Sequence, residues 1–111
     1  MDEVETFSLI GGGGMADILV DVWLYGDLAI YGGAKKRGSF ANPIIKKPEN
    51  STITDLLAQL KMRTEERGIT FVNGVLSAKP NMQPDLDYHL KNNDRVAFFD
   101  LHGRWTFSSM A

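Results

Sequence analysis

The sequence predicts an α+β fold, a sheet of four to five strands packed on one main helix. Three observations carry this. Residues Ile18–Tyr25 (ILVDVWLY) and Arg95–Leu101 (RVAFFDL) are rich in β-branched and aromatic side chains and read as strands. Ile53, Leu56, Leu57 and Leu60 fall at i, i+3, i+4 and i+7, which places them on one face of a helix. Asn73-Gly74 lies between two short apolar runs and is the preferred pair for a type I′ hairpin turn.

Residues Met1–Gly14 end in four consecutive glycines, whose backbone entropy keeps them out of regular elements, so they read as a flexible extension. An upstream start or an expression scar accounts for them. The sharper alternative makes EVETFSLI a tethered strand that adds to a sheet edge. The folded domain is expected over residues 15–103, with 104–111 as a tail that has the alternation of an extra strand at Arg104–Phe107.

In the first strand, Ile18, Val20, Val22 and Leu24 share the core face, and Leu19, Asp21, Trp23 and Tyr25 share the other. Asp27–Asn42 carries Gly32, Gly33, Gly38, Lys35, Lys36 and Arg37. It lacks phosphate-loop spacing and reads as a solvated loop. Asn42–Pro48 is a short strand whose terminal prolines assign it to a sheet edge. The helix opens at Thr52, with Asp55 completing a capping-box pattern, and runs to Gly68 as its C′ residue. Ile69–Val72 and Val75–Ser77 flank the Asn73-Gly74 turn. Lys79–Leu90, with two prolines, is a crossing loop with at most a helical turn near Asp87–Leu90, and Asn92–Asp94 is a second turn before the last strand.

Composition narrows the function. Hydrophobic residues make up 43% and charged residues 23%, and the net charge is -2, which favours neither nucleic acid nor an anionic membrane as partner. Absence of cysteine removes disulfides and thiolate chemistry, and two histidines are too few for a His-rich metal site. No apolar run reaches membrane-span length and no signal-peptide pattern opens the chain, so the cytosol is the expected compartment. No cofactor motif is present. Asp85, Asp87 and His89 cluster in sequence but lack a further His or Cys, and read as a solvated loop with a capping Asp. His102 beside Asp100 is one pair and no triad. The expectation is a protein without enzymatic activity.

The order of elements resembles the β-grasp order of ubiquitin-like proteins, with a mixed sheet. Within that class the residues resemble the MoaD/ThiS sulfur carriers. VWLYG in the first strand, TITDLLAQL opening the helix, FVNGVL at the hairpin and LKNNDRVAFF at the end carry the resemblance, from Ile18 to Phe99. It implies a role in molybdenum or tungsten pterin cofactor assembly or another sulfur-transfer system. The implied partner is an E1-like adenylyltransferase or a synthase large subunit. Carriers of this family end in Gly-Gly, which becomes a thiocarboxylate. Here the diglycine position falls on Arg104-Trp105, and the nearest glycine, Gly103, is followed by eight residues. The resemblance therefore implies a domain that acts by protein–protein contacts without a conjugation-competent end. The alternative is a genuine carrier processed at Gly103.

In a β-grasp sheet the first and last strands are parallel neighbours. Leu19, Trp23 and Tyr25 would then lie beside Ala97, Phe99 and Leu101 on the face away from the helix, an apolar patch suited to a protein partner. Cover by the chain's own tail and a homodimer through the same face are the competing expectations.

Overall fold

The computed structural model describes residues 16–80, 82 and 84–101, and the N-terminal extension, Gly103 and the tail lie outside that range. Strand β1 (Asp17–Tyr25) is the spine, because its alternation buries Ile18, Val20, Val22 and Leu24 completely or nearly so. The chain then makes a 3-10 stretch over Gly26–Lys35, broken at Gly33, and a two-residue hairpin of β2 (Lys36–Arg37) and β3 (Phe40–Ala41). Strand β4 (Ile44–Pro48) is followed by helix α1 (Ile53–Leu60) and a short 3-10 turn at Thr64–Glu66. Strands β5 (Arg67–Val72), β6 (Val75–Ala78) and β7 (Arg95–Asp100) complete a mixed sheet.

The strand order is β2-β3-β1-β7-β5-β6, with β4 also on β1. Strands β1 and β7 are parallel, from Asp21↔Arg95 to Leu24↔Phe98, and the remaining pairs are antiparallel. Among the described residues the sheet thus has seven strands, where four to five were expected. The surplus comes from Asp27–Asn42, which is a solvated loop only in part: residues 33–39, with Lys35, Lys36 and Arg37, are exposed. Its 3-10 stretch buries Leu28 and Ala29, and β3 and β4 then divide one edge of β1 between them, β3 at Leu24–Tyr25 and β4 at Asp17–Asp21.

The capping box at Thr52 and Asp55 forms as the sequence predicts, the Thr52 hydroxyl accepting from Asp55 N and the Asp55 carboxylate from Thr52 N. Bonded to Thr52 N first of all, Asp55 has its carboxyl held below its ordinary pKa, against a smaller opposing effect of burial. The helix, however, stops after eight residues. Lys61 adopts the left-handed conformation, Met62 N donates to Leu57 O at 3.0 Å, and Lys61 N donates to Ala58 O at 3.1 Å. This is a Schellman motif with Lys where Gly is usual. Left-handed strain costs about 1–2 kcal/mol, and burying Met62 beside Leu57 offsets it with about 1.5–3 kcal/mol. Gly68 is therefore no helix cap. It belongs to β5, where an added Cβ would lie 2.4 Å from the Asp100 backbone oxygen, so close approach of the two strands requires glycine.

Asn73 and Gly74 have φ of 52° and 82°, the type I′ geometry their sequence predicts. The Asp94 carboxylate joins this turn to the second one, accepting from Asn73 Nδ2 and Lys91 N, each at 2.9 Å, and from Tyr88 Oη at 3.0 Å. Burial works to raise the Asp94 pKa, but these bonds outweigh it and leave it lowered.

The crossing loop is tied down by a buried ion pair. Arg67 donates to both carboxylate oxygens of Asp85, at 2.7 and 2.9 Å, and the two side chains are 1% and 3% exposed. Ser77 also donates to Asp85, and Thr64, Thr70 and the Phe98 ring surround the guanidinium. Asp85 is thus an internal anchor, not a solvated loop residue.

Candidate functional site

Alternation in β1 and β7 that buries one face must turn Leu19, Asp21, Trp23, Tyr25, Arg95, Ala97 and Phe99 to the other. Helix α1 and the long 3-10 stretch both feed the inner core, where Ile53, Leu56, Leu57, Leu60, Leu28 and Ala29 pack with Val20, Val22, Val96 and Phe98. The outer face therefore lies opposite the helix.

On it the aromatic rings form a continuous shelf. Trp23 stacks on Phe40 at 5.9 Å and on Tyr25 at 6.2 Å, Tyr25 stacks on Phe99 at 4.6 Å, and Phe71 meets Phe99 edge-on at 5.8 Å. Leu19, Ile44 and Leu76 extend it, with 45%, 55% and 46% of their surface exposed. Of the expected patch residues, Trp23, Tyr25, Ala97 and Phe99 are brought together, while Leu19 lies on the same face beside Lys46, beyond Asp21 at the other end of β1. Leu101 lies past the end of β7, which stops at Asp100 and not at Leu101, and it is 51% exposed. Phe40, Phe71, Ile44 and Leu76 were missed by the sequence reading. Register is the signal that supplies three of them, since Phe71 pairs with Ala97, Leu76 with Phe71, and Ile44 with Asp21.

One charged pair sits in the apolar face. Arg95 Nε donates to Asp21 Oδ2 at 2.9 Å, Asn42 Nδ2 donates to Asp21 Oδ1 at 2.7 Å, and the Arg95 guanidinium lies 5.9 Å from the Trp23 ring. Burial pushes the Asp21 pKa up, yet the hydrogen bonds from Asn42 and Arg95, with the Trp23 N–H and the Arg95 charge nearby, prevail and hold it low. Among the described residues Trp23 Nε1 is buried and meets no hydrogen-bond partner at bonding geometry, so its influence on Asp21 is that of a nearby dipole. Tyr25 is raised by burial, with the Asp21 charge adding to it and Arg95 opposing.

Comparison of the chain with protein-family models gives no match, and comparison with curated proteins gives none either. The site must therefore be read from its own chemistry.

A second feature is a hollow of about 210 Å³ at the end of β7, lined by Asp27, Leu28, Tyr31, Glu66, Asp100 and Leu101. Tyr31 Oη donates to Glu66, a bond that more than anything else raises the tyrosine pKa and lowers the carboxylate's. Asp27 N donates to Asp100 Oδ2 at 2.7 Å. Among the described residues, no group of three or more His, Cys, Asp or Glu is placed to hold a metal ion. The DLDYHL cluster is dispersed, with Asp85 internal, Asp87 exposed, and His89 Nδ1 at 3.2 Å from Asn50 O. No described helix is long and apolar enough to cross a membrane. What the outer face offers is an aromatic shelf with the Asp21–Arg95 pair set in it.

Proposed function

We propose that this chain is a ubiquitin-like β-grasp protein, related to the MoaD/ThiS sulfur carriers, that acts without enzymatic activity through protein contacts on its outer sheet face. Support for the fold reading comes from the sheet. Counting β3 and β4 as one position and setting aside the two-residue β2 outside β3, the order is second, first, last, third, fourth, with the first and last strands parallel at the centre. The capped helix falls between the edge strand and the third position. The single observation that carries the binding role is the five-ring shelf of Phe40, Trp23, Tyr25, Phe99 and Phe71. Aromatic side chains of this kind dominate interface energetics, and contiguous apolar area marks partner sites.

By resemblance the pathway is molybdenum or tungsten pterin cofactor assembly or sulfur transfer in the cytosol. The partner is then an E1-like adenylyltransferase or a synthase large subunit. The test is calorimetric titration of the chain with each of these purified proteins from its own host. Binding is expected to weaken about 30-fold or more in Trp23→Ala, as for a central aromatic anchor. No binding by either protein, or equal binding by wild type and variant, overturns the reading. The intact mass of the native protein separates the carrier outcome, because a chain ending at Gly103 with an oxygen-to-sulfur shift would mean that thiocarboxylate chemistry survives.

A further inference from the structure

We propose that the outer face also pairs with a second copy of this chain, about a two-fold axis running along the seam between β1 and β7. The inference rests on the reading of that face as a protein-binding surface. A two-fold interface must be complementary to itself, and the register of the central parallel pair supplies that property. Asp21 is level with Arg95, and Trp23 with Ala97, across the seam. Rotation about an axis parallel to the strands places β1 of one copy over β7 of the other. Asp21 then faces the second copy's Arg95, and the indole of Trp23 faces the second copy's Ala97. Each pair matches, acid to base in the first and large to small in the second.

The charges follow the same logic. Across β1, β4 and β7 the charges on the face, Asp17, Asp21, Lys46 and Arg95, sum to zero, and Arg37, level with Phe40 on the outlying β2, adds one positive charge at the rim, so a second copy meets little net repulsion. The Arg95 side chain is 64% exposed and the Asp21 side chain 24%, which leaves the pair able to accept a second pair and form a four-membered array of alternating sign. A face rich in one charge would call for a partner of the opposite charge. This one does not.

Size sets the strength. Five sheet positions at about 4.8 Å and six residues at about 3.3 Å give a face of about 24 by 20 Å, or about 480 Å² in projection. A standard interface takes about 800 Å² of accessible surface from each partner. Allowing for side-chain relief, the face sits at the low end of that class, so the pairing is reversible and micromolar instead of obligate.

Sedimentation velocity of the full chain between about 1 and 500 μM tests it, a range chosen to bracket a micromolar equilibrium. Wild type is expected to shift from monomer to dimer as concentration rises. Asp21→Arg and Arg95→Asp are each expected to weaken the dimer by at least about tenfold, through facing like charges. An equimolar mixture of the two variants is expected to regain it, since every facing pair is again opposite in sign. Ala97→Trp, which fills the recess for the second copy's Trp23, gives an independent loss. Wild type that stays monomeric throughout, variants that leave the dimer unchanged, or a mixture that fails to re-pair overturns the proposal. Monomeric wild type whose calorimetric partner binding is still lost in Trp23→Ala would overturn self-pairing and leave the binding role standing.

Discussion

Asp85→Ala is the most informative single change for the fold. It removes both hydrogen bonds to the Arg67 guanidinium, at 2.7 and 2.9 Å, and leaves that cation 1% exposed. Thr64, Thr70 and the Phe98 ring remain beside it, but none carries a negative charge. Breaking a buried pair from one side costs about 3–5 kcal/mol, because the remaining charge is stranded in a medium that cannot solvate it. A domain of this size has about 5–10 kcal/mol in total. With about 4–8 °C of Tm per kcal/mol, the melting temperature should fall by at least about 12 °C. The control is Arg67→Met with Asp85→Leu. It removes both charges together and should be more stable than Asp85→Ala, short of wild type only by the Ser77, Thr64 and Thr70 hydroxyls it leaves unpaired. Urea unfolding followed by circular dichroism reads all three proteins. A cost under about 1 kcal/mol for Asp85→Ala, the range of surface ion pairs, would mean that water reaches the guanidinium and that the crossing loop is held by something else.

Gly68→Ala should cost about 1–3 kcal/mol in the same unfolding assay, since its Cβ would meet the Asp100 backbone oxygen at 2.4 Å and backbone cannot swing aside; an unchanged midpoint would contradict the close strand approach. Thr52→Ala should lose about 1 kcal/mol with the helix N-cap, read from the same curves, and no loss would deny the cap a share in stability. Asn73→Gly keeps the positive-φ turn but loses the bonds to Asp94 and Arg95 N, so a cost of about 1–2 kcal/mol would measure the tie between the two turns, whereas wild-type stability would show the turn conformation alone to matter. Asp21, Asp55, Glu66 and Asp94 all have folded pKa values below their unfolded ones. Their contribution is present at neutral pH and lost as pH falls below about 4.5 through the folded values, so stability measured from pH 7 downward should hold and then decline, and a rise on acidification would reverse the sign of the argument.

Much of the fold is legible in the sequence where structure is set locally. The Thr52–Asp55 box, the Asn73-Gly74 turn and the alternation of β1 need only neighbours within a few residues, and each forms as the residues dictate. The helix end is different. The run after Leu60 has no proline or glycine until Gly68, so propensity alone carries the helix on. What stops it is tertiary. Met62 is drawn into the core, and Arg67 is drawn to Asp85, eighteen residues along the chain. Neither partner is visible from the local pattern. The edge of β1 is likewise divided by a 3-10 stretch whose buried pair, Leu28 and Ala29, resembles any apolar dipeptide in a glycine-rich loop.

The outer face shows the same division more sharply. Period-2 alternation tells which side of its own strand a residue occupies, and that suffices to place Trp23, Tyr25, Ala97 and Phe99 together once β1 and β7 are neighbours. It does not tell which residue of another strand lies alongside. Phe71 joins the shelf through a register fixed on one side by the Asn73-Gly74 turn and on the other by the Asp94 bonds between the turns. Phe40 joins it from a two-residue strand that exists only because the preceding 3-10 stretch returns the chain to the edge of β1. The width of the shelf, and so the strength of any contact it makes, is therefore a property of register and chain path, while its aromatic centre is written in two strands that the sequence names directly. Changes at Trp23 act on the contact itself, whereas changes at Asn73 or Asp94 act on it only by shifting Phe71, and should weaken binding in proportion to the register they release.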